Sequence, residues 1–202
     1  MTVSRGFAGR RRGGARDDLP PGQYDEGAGW PVLTAEVTPH LDPQTWTMSV
    51  DGLVDTPTTW SWDEMHALPQ SDYDGPIHCV TTWSKFGMHW SGVSVDVLLD
   101  AAAPTAEATH VLATSTTGYT TNLPLEHVRG GQAWVVWSFD VQPLTRDHGG
   151  PVRLLVPHLY FWKSAKWVTK LTLLDHDQHG FWERNGYHDL GDPWREQRYQ
   201  GD

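Results

Sequence analysis

Two apolar runs, AWVVWSFD at 133–140 and VRLLVP at 152–157, constrain this chain more than any other feature. Each is continuous rather than alternating and too short for a buried helix, which predicts strands covered on both faces. TWTMSVDGLV (45–54) alternates and runs into Asp55, Thr56 and Pro57. THVLATSTTGYTTNLPL (109–125) reads as two strands around Gly118, and WVTKLTLLD (167–175) alternates again. SWDEMHAL (61–68) fits a short helix: Ser61 can cap it, and Glu64 stands three residues on, as in a capping box. SVDVLLDAA (94–102) has its apolar residues on one helical face until Pro104 stops it. Strands do not alternate with long helices, so a Rossmann arrangement is not expected. The expectation is an α+β fold of mixed, mainly-β sheets with short helices.

A chain of 202 residues fits one domain with extensions. Residues 1–22, rich in Gly, Arg and Asp and ending in Pro20–Pro21, predict a flexible tail, with the domain proper over 23–202. The aromatic, polar segment HGFWERNGYHDLGDPWREQRY predicts a tail wrapped over the core. Twelve tryptophans suggest a partly polar interior or a deep pocket, because a buried indole N–H needs a partner.

The formal net charge of −10 excludes a general nucleic-acid binder, which needs a basic face. Three of the four lysines, Lys163, Lys166 and Lys170, fall in one short segment. A local basic cluster on an acidic chain suits a small anionic ligand, or is a solvated charged face. No apolar run is long enough for a membrane span. The N-terminal arginines lack an apolar region behind them, and with one cysteine the expected location is the cytoplasm. GxGxxG, Walker A, HExxH and GxSxG motifs are all missing, which removes the commonest cofactor and hydrolase classes.

The single cysteine, Cys79, sits in GPIHCVTTWSKFGMHWSG (75–92). One cysteine makes no intramolecular disulfide, and four roles compete for it. It can be a buried structural thiol. It can be a nucleophile, although His78 beside it points to the opposite face of a strand and the base would come from elsewhere. It can be a zinc ligand with His78 and His89, although the spacings do not match zinc sites. Finally, it can hold a soft, redox-active metal whose other ligands come from an organic cofactor. That last role needs donors for the cofactor's anionic end. HGGPVRLLVPHLYFWKSAKW (148–167) supplies Arg153, His158, Lys163, Ser164, Lys166 and successive backbone N–H groups, and Gly149–Gly150 lets a ligand come close to the backbone.

IHCVTTWS followed by WSGV (90–93), and then GGPVRLLVPHLYFWKSAKWV, resemble the sulfite oxidase-like molybdopterin oxidoreductases, most closely the short prokaryotic members made of the molybdopterin domain alone. The resemblance runs from about residue 30 to the end, with two motifs in the right order. It implies that Cys79 ligates molybdenum, with molybdopterin providing two dithiolene sulfurs. It further implies cofactor contacts from His78, Thr81, Trp83, Ser115, His148, Arg153, His158, Lys163, Ser164, Ala165 and Lys166. Trp83, Trp90, Trp162 and Trp167 enclose the site on this view, Trp90 and Trp167 as core. The implied activity is two-electron oxygen-atom transfer on a small sulfur- or nitrogen-containing substrate, with a separate electron-transfer protein. A non-catalytic molybdopterin or anionic-ligand carrier is the alternative. The chain departs from the longer members in two respects: it has no CxxCH, and VTTWSKFG after Cys79 lacks the arginine that helps sulfite oxidases bind an oxyanion.

Overall fold

The structure, a computed structural model, describes residues 16–202. Eleven strands and three short helices follow one another. The strands are β1 (Tyr24–Asp25), β2 (Thr47–Gly52), β3 (Thr58–Ser61), β4 (Ser71–His78), β5 (Trp83–Ser94), β6 (His110–Ser115), β7 (Thr120–Pro124), β8 (Trp134–Phe139), β9 (Gln142–Pro143), β10 (Arg153–Leu155) and β11 (Val168–Leu174). The helices are α1 (Trp62–Ala67), α2 (Val95–Ala102) and α3 (Phe181–Arg184). A five-stranded sheet has the order β3-β2-β11-β6-β7, with β2 and β11 parallel and the other pairs antiparallel. A six-stranded sheet has the path β1-β5-β8-β10, with β4 on β5 and β9 on β8.

Local chemistry accounts for the helices. Ser61 accepts from the Glu64 N–H while the Glu64 carboxylate accepts from the Ser61 N–H, so α1 starts in a closed capping box. Helix α2 buries Val95, Leu98, Leu99 and Ala102 completely, which is the i, i+3, i+4, i+7 stripe. It ends at Ala103 in the left-handed region, one residue before Pro104. Burying each Val or Leu of this stripe stabilises by about 1.5–3 kcal/mol. The run 133–140 becomes β8, with Trp134, Val135 and Val136 buried, and 152–157 contributes β10, buried at all three residues.

Strands β4 and β5 are not announced by the apolar pattern. Their register shifts between Gly75 and Ile77 around Pro76, and Gly87 has a φ of +64°, so their alternation is broken. They meet in the tight turn Cys79–Thr82, where the Thr82 N–H donates to the Cys79 carbonyl (3.0 Å) and the Cys79 N–H to the Trp83 carbonyl (2.8 Å). Cys79 is thereby fixed at the tip of a hairpin.

Most of the expected flexible tail, residues 1–15, lies outside the described residues. Of the remainder, Pro20 is buried, and the Arg198 guanidinium reaches the Pro21 carbonyl at 3.5 Å. The C-terminal segment folds back through the bridge Tyr187–Tyr199. No described helix is long and apolar enough to cross a membrane.

Candidate active site

A cavity of about 270 Å³ opens where the Cys79 turn, the segment 30–36, the stretch 148–166 and the C-terminal tail meet. Cys79, Val80, Thr81 and Trp83 line it from the hairpin, and His148, Arg153, Phe161, Trp162, Ser164, Ala165 and Lys166 from the second stretch. Trp30, Pro31, Leu33, Thr34, Ala35 and Glu36 form a further wall, completed by Tyr119, Trp182 and Tyr187. The two motifs, some 70–90 residues apart in sequence, thus face one space.

The Cys79 thiol is buried, with Sγ 3.1 Å from Thr81 Oγ1. Burial pushes its pKa up, while hydrogen bonding from Thr81 and the charge of Arg198 oppose the rise. The phenols of Tyr24 and Tyr187 are close enough to feel the sulfur's charge. Arg198 donates to the Val80 carbonyl at 2.7 Å, so the cation nearest the sulfur is committed to backbone.

The second stretch carries the positive charge. Arg153 is 1% exposed, and its Nη atoms donate to the carbonyls of His148 and Ser164, each at 2.7 Å. Its guanidinium stacks 4.0 Å from the Phe161 ring centre. Burial pushes its pKa down to about 9. Lys166 donates to the carbonyls of Leu33 (2.9 Å) and Asp147 (2.5 Å). Burial, then the charge of Arg153, lowers its pKa to about 8. Neither cation has a carboxylate within 4.0 Å among the described residues. Gly149 holds this corner open: its φ is +106°, and a Cβ there would meet Arg153 Cβ and Lys166 Cγ at 3.1 Å. The His148 ring stacks on Trp30, with centroids 3.6 Å apart and planes at 10°. Burial, with Arg153 and Lys166 nearby, pushes its pKa down to about 4.

Several residues implied by the resemblance are placed elsewhere. Lys163 is fully buried outside the cavity lining, paired with Glu183 Oε1 at 2.6 Å and donating to the Asn122 side chain and backbone and to the Asp189 carbonyl. It is an internal structural cation, because its stem points inward from a short 3-10 turn (Phe161–Lys163). His158 pairs instead with His127, Nε2 to Nδ1 at 3.1 Å. His78 alternates away from Cys79 at the end of β4, with Nδ1 2.7 Å from Ser84 Oγ. Ser115 does not line the cavity; its hydroxyl lies 3.5 Å from Glu36 Oε1, which does. The expected backbone N–H nest is also spent, since the N–H groups of His148, Gly149 and Gly150 donate to Thr145 and Arg146 carbonyls. Trp90 and Trp167 are core, whereas Trp83 and Trp162 line the cavity.

The sequence reading missed Trp30, Glu36, Tyr119 and Tyr187. They come from segments without period or motif, and only the tertiary fold brings them to the thiol or to the cations. The donor set fits a cofactor that offers a metal to one thiolate and an anion to one buried and one half-buried cation, since a buried guanidinium without a counter-charge is costly. Fold and site together define a domain built to hold an anionic, metal-bearing cofactor against one thiol.

Comparison with known proteins agrees. Residues 35–182 match the family described as the oxidoreductase molybdopterin binding domain, and this chain belongs to that family. It is 39% identical to the uncharacterized oxidoreductase YuiH of Bacillus subtilis, over 97% of this chain and 99% of that protein. It is 30% identical to a putative protein-methionine-sulfoxide reductase subunit, YedZ1, of Azospira oryzae, over 75% of this chain and 58% of that protein. It is 27% identical to mitochondrial sulfite oxidase of Rattus norvegicus, over 74% of this chain and 33% of that protein. The chain therefore spans little more than half, and about a third, of the latter two. The crystal structure of the sulfane dehydrogenase SoxCD from Paracoccus pantotrophus shares the fold, with a TM-score of 0.63 at 22% identity over 69% of this chain and 41% of that one. The cofactor of the family is molybdenum–molybdopterin, and the chain is an oxidoreductase of this sulfite oxidase-like group.

Proposed function

We propose that this domain catalyses two-electron oxygen-atom transfer on a small, uncharged sulfur- or nitrogen-containing substrate, and that a separate protein exchanges the electrons. The observation that carries this reading is one cavity lined by the sole thiol and by two cations that lack carboxylate partners. Cys79 would ligate the metal, and Arg153, Lys166, Ser164 and His148 would receive the pterin and its phosphate. Bound there, the molybdenum centre supplies the two-electron redox chemistry.

The rest of the site acts on substrate. Trp83, Trp162 and Trp182 exclude water from the thiol's surroundings. Tyr187 lines the same space, and burial raises its pKa, so it stays protonated and can donate a hydrogen bond to an oxygen on sulfur or nitrogen. The neutral-substrate preference rests on the cations near Cys79. Neither Arg198, which donates to the Val80 carbonyl, nor Lys85, which donates to the Gly27 carbonyl, lines the cavity, so neither faces a small oxyanion such as sulfite there. The methionine-sulfoxide reductase relatives fit this preference better than the sulfite oxidases do.

The test uses protein from a cofactor-competent host. Molybdenum and oxidised-pterin fluorescence are expected near one per chain, the metal signal collapsing in Cys79→Ser. Reduced viologen should be consumed with a dialkyl sulfoxide or an amine N-oxide. Metal that is present but never reduced and reoxidised by any acceptor would convert the reading to a carrier. Faster turnover with sulfite than with any sulfoxide would overturn the substrate class.

A further inference from the structure

The segment Trp30–Pro39 crosses the cavity beside Lys166. No backbone–backbone hydrogen bond ties residues 28–41 to the rest of the described chain. Side chains hold it instead: Trp30 on His148, Lys166 on the Leu33 carbonyl, Thr38 Oγ1 on Asp147 Oδ1 (2.9 Å) and Arg146 on the Pro39 carbonyl (3.1 Å). Val32, Leu33 and Val37 are 46%, 50% and 89% exposed. Trp30 packs edge-on against Trp90 and Phe139, and beyond it the few buried apolar contacts and the lack of a ladder place residues 31–39 at the low-stability end of the fold.

The segment turns one carboxylate inward. Glu36 accepts from Thr117 Oγ1 and lies 3.5 Å from Ser115 Oγ; burial pushes its carboxyl up, and the Tyr119 backbone, Ser115 and the Lys166 charge oppose the rise. Two hydroxyls thus face one half-buried carboxylate, and the Lys166 ammonium stands beyond contact distance but near enough for its charge to be felt, which makes an anion subsite. Ser115, which touches Glu36, and Lys166, whose charge Glu36 feels across the cavity wall, are both in the set that the resemblance assigns to the cofactor.

We propose that Glu36 is a built-in competitor for the cofactor's phosphate, and that residues 31–39, hinged at the anchored Trp30, form a strap which lifts Glu36 out of the subsite when the cofactor enters. This rests on the reading that the Lys166 corner receives the cofactor's anionic end. Carboxylate and phosphate seek the same donors, and two anions in one subsite repel each other. The tethered carboxylate therefore keeps the subsite satisfied in cofactor-free protein and gives way to a ligand with more charge and more acceptor oxygens.

The experiment takes full-length protein from a host unable to make the cofactor and titrates it with inorganic phosphate by calorimetry at pH 7 and fixed ionic strength. Glu36→Gln, similar in shape but uncharged, should bind phosphate at least tenfold more tightly than the wild type, and Lys166→Met added to it should abolish the gain. In wild type, saturating phosphate should speed proteolytic cleavage within 31–39, a readout that needs no variant. Equal phosphate affinity in wild type and Glu36→Gln, with a loss in Lys166→Met, would overturn the competitor role and leave the subsite standing. Phosphate binding by none of them would also overturn it; molybdenum and pterin content of wild type from a competent host then judges the cofactor reading separately. Cleavage slowed or unchanged by phosphate would remove the lifting strap.

Discussion

Lys163→Met separates the position this lysine holds in the fold from the cofactor contact that its motif implies. Lys163 and Glu183 are both fully buried, and the ammonium has four oxygens within 2.9 Å: two on Asn122, the Asp189 carbonyl and Glu183 Oε1. Removing the cation leaves Glu183 Oε1 with Trp162 Nε1 (2.9 Å) and Thr121 Oγ1 (3.5 Å), and Oε2 with no partner. Breaking one half of a buried pair costs about 3–5 kcal/mol. At roughly 2–4 °C per kcal/mol for a chain of this size, Tm should fall by about 6–20 °C. Lys163→Met with Glu183→Leu removes the orphaned charge as well and should recover most of that loss. Differential scanning calorimetry on both variants and wild type, alongside pterin content, decides the matter. Unchanged Tm with lost pterin in Lys163→Met would refute the structural role and return Lys163 to the cofactor.

Other outcomes follow from the same geometry. Lys166→Ala loses a charge-assisted bond of roughly 1.5–3 kcal/mol, so pterin retention through dialysis should fall about tenfold or more with the fold intact by circular dichroism. Ser61→Ala opens the capping box of α1 and should cost about 1 kcal/mol, a Tm loss of roughly 2–4 °C. His78 and His158 are pushed by burial from 6.5 to about 4. Between those values the unfolded chain binds more protons than the folded one, so stability rises with pH there and is lost as pH falls from 6.5 towards 4. Each can contribute at most about 1.4 kcal/mol per pH unit, and urea midpoints for His158→Gln should show a flatter acid limb than wild type.

The local elements were legible because their signals are short-range. Ser61 and Glu64 are three residues apart, the α2 stripe spans eight residues, and Gly118 sits between two strands that pair directly. The pair β4–β5 was less legible, since its bulge at Pro76 and the turn of chain at Gly87 break the alternation on which a strand is recognised. Within the site, Cys79, Thr81, Trp83, His148, Arg153, Ser164, Ala165 and Lys166, all taken from the two motifs, line one cavity. Their neighbours in sequence, His78, His158 and Lys163, share the motifs but not the space, because alternate residues of an extended or tightly turned chain point to opposite sides.

By itself the sequence carried the two motifs on which the family resemblance rests, one around the sole thiol and one in a cationic stretch far downstream, and it showed short strands in place of a nucleotide-binding α/β repeat. Only the tertiary structure decided which charges are paired and which are free. Lys163 meets its carboxylate 20 residues away, Lys166 meets the Leu33 carbonyl 133 residues away, and Glu36 reaches Thr117 across 81. Periodicity carries information over a few residues, whereas the partner of a buried charge is set by how sheets and returning tails pack. The cavity's cations without carboxylate partners, and the carboxylate of Glu36 beside them, were therefore visible only in three dimensions.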